Sequence, residues 1–149
     1  MAGEKKEKQI LEEARRGLHQ TFGMTRKEFD IYYSYPHNRK IVKKMAELGN
    51  YRIVAEVIES KYCSAGLQKG QKLVFKALPS LLIPEESDCP FCLRAVGPLG
   101  NLAAGFWDRI IDGRNPNDGM WHISECLDPG LEKGGLGHVV FKVYARKVG

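Results

Sequence analysis

Residues 51–60, YRIVAEVIES, are rich in β-branched side chains and mark the point where the character of the chain changes. Side chains of this kind pack well on a pleated surface, so the stretch predicts a β-strand. Three later stretches predict the other strands: KLVFKAL (72–78), MWHISECL (120–127) and HVVFKVYARKV (138–148). The last of them alternates apolar and polar residues with a period of two, which is typical of a strand with one buried face.

One interrupted helix is predicted between the second and third strands. Pro90 and Pro98 suit the first turns of two consecutive helical pieces, because proline lacks the N–H that a first turn leaves unpaired. The second piece has a broad apolar face, and Gly113 ends it. No strand–helix–strand repeat runs through the chain. We therefore expect an α+β fold with a small, mainly antiparallel four-stranded sheet and one broken helix.

The residues before the first strand predict a helical N-terminal extension. Apolar residues recur there at helical spacing in three stretches, and a capping box formed by Thr25 and Glu28 opens the second. We divide the chain into a basic helical extension, residues 1–49, and an α+β domain that contains the cysteines, residues 50–149.

Charge is unevenly divided along the chain. Residues 1–50 carry 11 Lys or Arg against 7 Asp or Glu, an excess of +4, whereas the remainder carries 12 against 11. Acidic residues are interleaved with the basic ones, so the extension favours a solvated helical face over a nucleic-acid-binding surface. Its tyrosines, Tyr32, Tyr33 and Tyr35, would suit an interface core. We expect residues 1–49 to bind a second copy of the chain or a partner subunit.

The sequence also bears on the compartment. It has no apolar run of the ~20 residues that a membrane span needs, and its first residues lack the apolar centre of a signal peptide. We therefore expect a cytoplasmic protein with no membrane partner. Thiols stay reduced there, so structural disulfides are not expected.

Four cysteines carry the functional signal: Cys63, Cys89, Cys92 and Cys126. Each lies in a turn or at the end of a predicted element, not within an apolar stripe, so loop ends could bring the sulfurs together at one edge of the sheet. Thiolates bind zinc and iron–sulfur clusters, and the two-residue spacing within CPFC lets two sulfurs share one centre. Scattered single cysteines with a Cys-Pro step favour an iron–sulfur cluster, with zinc as the alternative.

Other interpretations of these thiols stay open. The four can be unliganded small apolar side chains. Alternatively, Cys89 and Cys92 form a redox pair with Cys89 as nucleophile, because the start of a helix lowers the pKa of a thiol. The strand–helix–strand context expected of such a pair is missing. From another class, a regulatory or nucleic-acid-binding module would use the basic helices.

His122 is the candidate catalytic residue. On the third predicted strand it shares a face with Ser124 and Cys126 by the two-residue alternation of strands. It could replace one sulfur as a metal ligand, or carry a proton beside an open metal position.

The stretch VIESKYCSAGLQKGQKLVF, followed by CPF and then ECLDP, resembles a family of small uncharacterised proteins found mostly in anaerobic bacteria and archaea. Its pattern is a strand, C-x2-G-x3-G-(D or Q), a second strand, a Cys-Pro helix and a late Cys-x-Asp-Pro. The resemblance covers about residues 51–147. The matching residues are Cys63, Gly66, Gly70, Cys89, Pro90, Cys126, Asp128 and Pro129.

The resemblance implies a core of three cysteines, Cys63, Cys89 and Cys126, with Cys92 as an extra ligand or a bystander. Three thiolates on a four-iron cluster would leave one iron open to water or to a small oxygenated substrate, with His122 as proton carrier. The family has no established activity. From the set of cysteines, we expect a metal or iron–sulfur protein that is a small enzyme or the small subunit of an enzyme complex.

Overall fold

The computed structural model describes residues 2–149, and the chain forms two compact units, Met1–Glu47 and Leu48–Gly149. The division lies two residues before the boundary predicted from the sequence. Among residues 2–149, no helix combines the length and the apolar character that crossing a membrane requires.

Three helices make up the first unit: α1 (Ala2–Phe22), α2 (Arg26–Ser34) and α3 (Pro36–Gly49), the last of which runs on into the second unit. One buried residue from each helix, Leu18, Phe29 and Val42, forms its core. The predicted capping box is confirmed: the Glu28 N–H donates to Thr25 Oγ1 at 3.3 Å, and the Thr25 N–H donates to the Glu28 carboxylate at 2.8 Å. These bonds satisfy backbone donors that the first helical turn leaves unpaired.

The second unit is built on a four-stranded sheet. Its strands are β1 (Tyr51–Lys61), β2 (Lys72–Lys76), β3 (Ile123–Glu125) and β4 (His138–Lys147). The order across the sheet is β2-β1-β4-β3, and every neighbouring pair is antiparallel. The predicted α+β class with a small antiparallel sheet is therefore confirmed.

One face of the sheet packs against the interrupted helix, α4 (Leu93–Val96) and α5 (Leu99–Ile111). Phe141 on β4 is fully buried at the centre of this layer. Alternate residues of β1 supply the rest of the floor: Ile53, Ala55 and Val57. The intervening residue Val54 belongs to a smaller apolar cluster with Val74 and Ile83, as the period of two requires.

The predicted start of the interrupted helix is wrong. Pro90 lies outside it, because α4 begins only at Leu93, and Pro98 precedes α5 as its N-cap. The cause is local to Asp88, whose N–H donates to the Lys72 carbonyl at 3.0 Å and whose carboxylate accepts from the Lys72 N–H. These bonds hold the chain against β2, and a residue before proline disfavours helical geometry.

Candidate functional site

Three of the four cysteines line one small cavity of about 30 Å³ in the second unit. Cys63 follows the end of β1, Cys92 is the N-cap of α4, and Cys126 directly follows β3. All three are partly buried and pack against the main core. The structure thus brings together thiols from three elements that are far apart along the chain. We call this space the thiol cavity.

Cys89 does not belong to the lining of the thiol cavity. Burial, together with the negative charge of the adjacent Asp88, raises the pKa of its thiol to about 11. The expectation that a helix start lowers this pKa is wrong, because Cys89 lies four residues before α4 begins and no helix start acts on it. A thiol with a raised pKa is a poor nucleophile near neutral pH, which counts against the redox pair.

Hydrogen bonds orient the sulfur of Cys126. The Val139 N–H donates to Cys126 Sγ at 3.4 Å, and Sγ lies 3.7 Å from the Asp128 carbonyl oxygen, which can accept the thiol proton. On the backbone, the Cys126 N–H donates to the Val139 carbonyl at 2.9 Å. An N–H directed at sulfur stabilises a thiolate, and such bonds are common around metal-bound cysteines.

The Asp128 side chain organises the wall of the thiol cavity. Its Oδ1 accepts from the backbone N–H of Gly130 at 3.1 Å and of Leu136 at 3.0 Å. The bond from Gly130 is the main cause of a lowered pKa for this carboxyl, and the N–H groups of Gly137 and Leu136 and the charge of Arg94 act in the same direction. Asp128 therefore stays ionised and ties the ECLDP loop to the glycine-rich stretch that precedes β4.

Close backbone contact fixes the glycine-rich stretch, residues 134–137, against the residues that end β1 and lead into Cys63, which we call the Cys63 turn. A Cβ atom at Gly137 would lie 2.2 Å from the Tyr62 carbonyl oxygen, and one at Gly135 would lie 2.2 Å from Asp128 Oδ1. Only glycine fits at such distances. These two glycines hold the loops that carry Cys63 and Cys126 next to β4.

His138 lines the thiol cavity, and the sequence analysis did not single it out. Its Nδ1 lies 3.0 Å from the Asp128 carbonyl oxygen. A carbonyl only accepts, so this hydrogen bond places a hydrogen on Nδ1. Nε2 lies 3.5 Å from the Glu125 carboxylate. The position of His138 at the first residue of a strand, after a glycine-rich loop, was the available signal.

His122 lies elsewhere. It lines a separate cavity of about 440 Å³ with Glu56, Lys142 and Tyr144, and it is not among the residues that line the thiol cavity. His122 lies outside the strand on which the expected alternation was based, because β3 contains only three residues and begins at Ile123. His122 is exposed, whereas Ser124 is buried.

The arrangement is one of free thiols. All four cysteines are free, and within the described residues no three side chains of His, Cys, Asp or Glu are placed to hold a metal ion as they stand. No family model matches the chain, and neither a curated protein nor a solved structure matches it. The resemblance to the anaerobe family and the three-cysteine core that it implies stay predictions.

Proposed function

We propose that the protein binds a metal ion through the thiolates of Cys63, Cys92 and Cys126. The observation that carries the proposal is the shared cavity, which draws its thiols from the ends of three separate elements. The Val139 N–H directed at Cys126 Sγ supports it, because thiolate ligands are stabilised by such donors. Cys92 takes the place in this ligand set that the family resemblance gives to Cys89.

His138 is the fourth ligand of the proposed site. The Asp128 carbonyl accepts from Nδ1, as backbone carbonyls commonly do behind a metal-bound histidine, and Nε2 would turn from the Glu125 carboxylate, 3.5 Å away, to bind the ion. Three cysteines and one histidine form a common tetrahedral set for structural zinc. With all four positions filled by protein, the ion would stabilise the fold and activate no water. A catalytic role for His122 stays a prediction.

The size of the thiol cavity favours a single ion over a cluster. A volume of about 30 Å³ is the space of about one or two water molecules. A four-iron cluster would need a larger cavity. Zinc is therefore favoured here, and the iron–sulfur cluster stays a prediction. Binding requires the side chains to turn until each sulfur lies at ~2.3 Å from the ion, and it releases the thiol protons.

Elemental analysis and an absorption spectrum of protein purified without oxygen test the proposal. We expect one zinc per chain and no colour. Cys126→Ser should lose the zinc, whereas Cys89→Ser, a matched loss of one thiol outside the cavity, should keep it. Absorption near ~400 nm with stoichiometric iron would replace zinc by a cluster. Metal-free protein that folds and titrates four free thiols would refute metal binding, and equal zinc loss in both variants would refute the ligand set.

We also propose that the first unit associates with a second copy of the chain in the cytoplasm, where the free thiols would stay reduced. Tyr33 stacks on Phe29 within the unit's own core, with ring centroids 5.8 Å apart, so part of its surface is already covered. Tyr35 is 54% exposed. Two other large apolar side chains of this unit are also exposed, Phe22 at 67% and Ile31 at 56%. Apolar groups exposed in this way are stabilised by burial against a partner.

Light scattering coupled to size-exclusion chromatography tests this association. We expect a dimer that Ile31→Glu converts to monomer. Gln20→Glu adds the same charge on α1 and should leave the dimer intact. A wild-type monomer at concentrations of about 100 μM, well above the affinity range of stable dimers, would refute the proposal.

A further inference from the structure

A second cavity, of about 390 Å³, lies between the sheet and the interrupted helix. The sheet supplies its floor through Ile53, Ala55, Phe75 and Val143, and α5 supplies its opposite wall through Leu99 and Ala103. Its volume falls within the ~300–1,000 Å³ of ordinary small-molecule sites. We call it the apolar cavity. It shares no lining residue with the thiol cavity.

The lining offers no charge to a ligand. Ile53 and Phe75 face each other across β1 and β2 on the side of the apolar cavity. Lys76 also borders the apolar cavity. It lies opposite Arg52 in the β1–β2 register, and the alternation of strand residues places both side chains on the opposite face of the sheet. Arg52 donates there to Glu86 at 3.1 Å. Neutral ligands therefore match this lining, because a buried charge without a partner is strongly disfavoured.

Small residues on α5 leave the space open. Gly100 and Ala103 lie one helical turn apart and both border the apolar cavity. A Cβ atom at Gly100 would meet no heavy atom within 4 Å. A larger side chain at Gly100 would therefore take up space at this border of the apolar cavity.

Two large apolar side chains stand at the rim of the same cavity. Leu81 is 59% exposed and Phe91 is 57% exposed, although both contribute to its lining. An occupant would cover them and remove their apolar surface from water, which favours binding. Binding of an apolar molecule would therefore bury exposed apolar surface at the rim as well as at the walls of the cavity.

We propose that the apolar cavity binds a small neutral apolar molecule of about two or three aromatic rings. The size follows from comparison with an apolar cavity of about 150 Å³, which holds a single benzene. The binding rests on the packing of Ile53, Phe75 and Leu99 around the ligand and on closure by Leu81 and Phe91. It does not depend on the proposed metal site.

Fluorescence titration with N-phenyl-1-naphthylamine, a neutral three-ring probe, tests the proposal on the full chain. We expect saturable binding of one probe per chain that changes little with salt. Gly100→Leu should weaken the binding at least tenfold by filling the cavity. Gly105→Leu is the matched control, because Gly105 lies in the same helix with nothing within 4 Å of its Cβ position and does not border the apolar cavity. It should bind the probe within about twofold of wild type.

Methyl NMR of the wild-type protein supplies a readout that no variant can confound by failing to fold. On addition of the probe, the methyl signals of Val143, Leu99 and Leu82 should shift, and those of Leu131, on the far loop, should not. Absence of saturable binding to wild type, equal binding by the two leucine variants, or shifts spread over the whole second unit would each overturn the proposal.

Discussion

The Gly137→Ala substitution tests the contact that builds the thiol cavity. A Cβ atom at this position would lie 2.2 Å from the Tyr62 carbonyl oxygen, 2.7 Å from its carbonyl carbon and 2.9 Å from the Lys61 carbonyl oxygen. All three atoms are backbone, so no side chain can turn aside to make room. Recovery of ordinary contact distances requires a backbone shift of about 1 Å.

The size of the effect follows from this geometry. Overpacking of a well-packed site costs about 1–3 kcal/mol, and a clash with fixed backbone lies at the upper end. For a unit of about 100 residues, a loss of ~3 kcal/mol lowers the melting temperature by more than about 10 °C. Because Tyr62 precedes Cys63, the same shift should move Cys63 and weaken the proposed zinc binding.

Thermal unfolding followed by circular dichroism is the assay. Gly105→Ala is the control: it adds the same methyl group in the interior of α5, in open space, and should raise stability by about 0.5–1 kcal/mol. Should Gly137→Ala melt within about 2 °C of wild type, the loss would be well under 1 kcal/mol. In that case the glycine-rich stretch would not approach Tyr62 as described, and the account of the thiol cavity would be refuted.

Three further results are expected. Phe141→Ala empties a fully buried site on β4 and should lower the free energy of unfolding by about 3–5 kcal/mol in urea titrations; a loss below ~1 kcal/mol would contradict its central place. Alkylation of Cys89, mapped by mass spectrometry, should quicken with pH up to about 11, since burial raises its pKa; a plateau near pH 8 would contradict this. The lowered pKa of Asp128 means that its ionised carboxylate stabilises the folded state fully above about pH 3.9. This stabilisation is lost as pH falls through the folded-state pKa. In acid titrations, the free energy of unfolding of Asp128→Asn should therefore fall less steeply with decreasing pH than that of wild type.

Much of the secondary structure could be predicted because its causes are local. The alternation in residues 138–148 and the β-branched run at 51–60 each mark a strand whatever its neighbours are. The capping box of Thr25 and Glu28 spans four residues and forms with the predicted bonds. The start of α4 was mispredicted because hydrogen bonds to Lys72, 16 residues away from Asp88, hold the segment outside the helix.

The membership of the thiol cavity could be predicted only in part. Cysteines at the ends of elements pointed to a meeting of thiols, and three of the four do line one cavity. The exclusion of Cys89 goes with the bonds that hold Asp88 against Lys72 of β2. The inclusion of His138 depends on how the loop after β3 folds back onto β4. That path rests on Asp128 and its bonds to Gly130 and Leu136, which no local pattern reveals.

The sequence by itself determined the class of fold, the order of the elements and the four thiols, because side-chain periodicity and residue chemistry are properties of neighbours along the chain. Only the tertiary structure decided which thiols meet. A register shift in the β1–β4 pairing between Val57 and Glu59 sets Lys61 opposite His138, and so brings the Cys63 turn beside the start of β4. A slip of one residue there would turn every following side chain to the other face of the sheet.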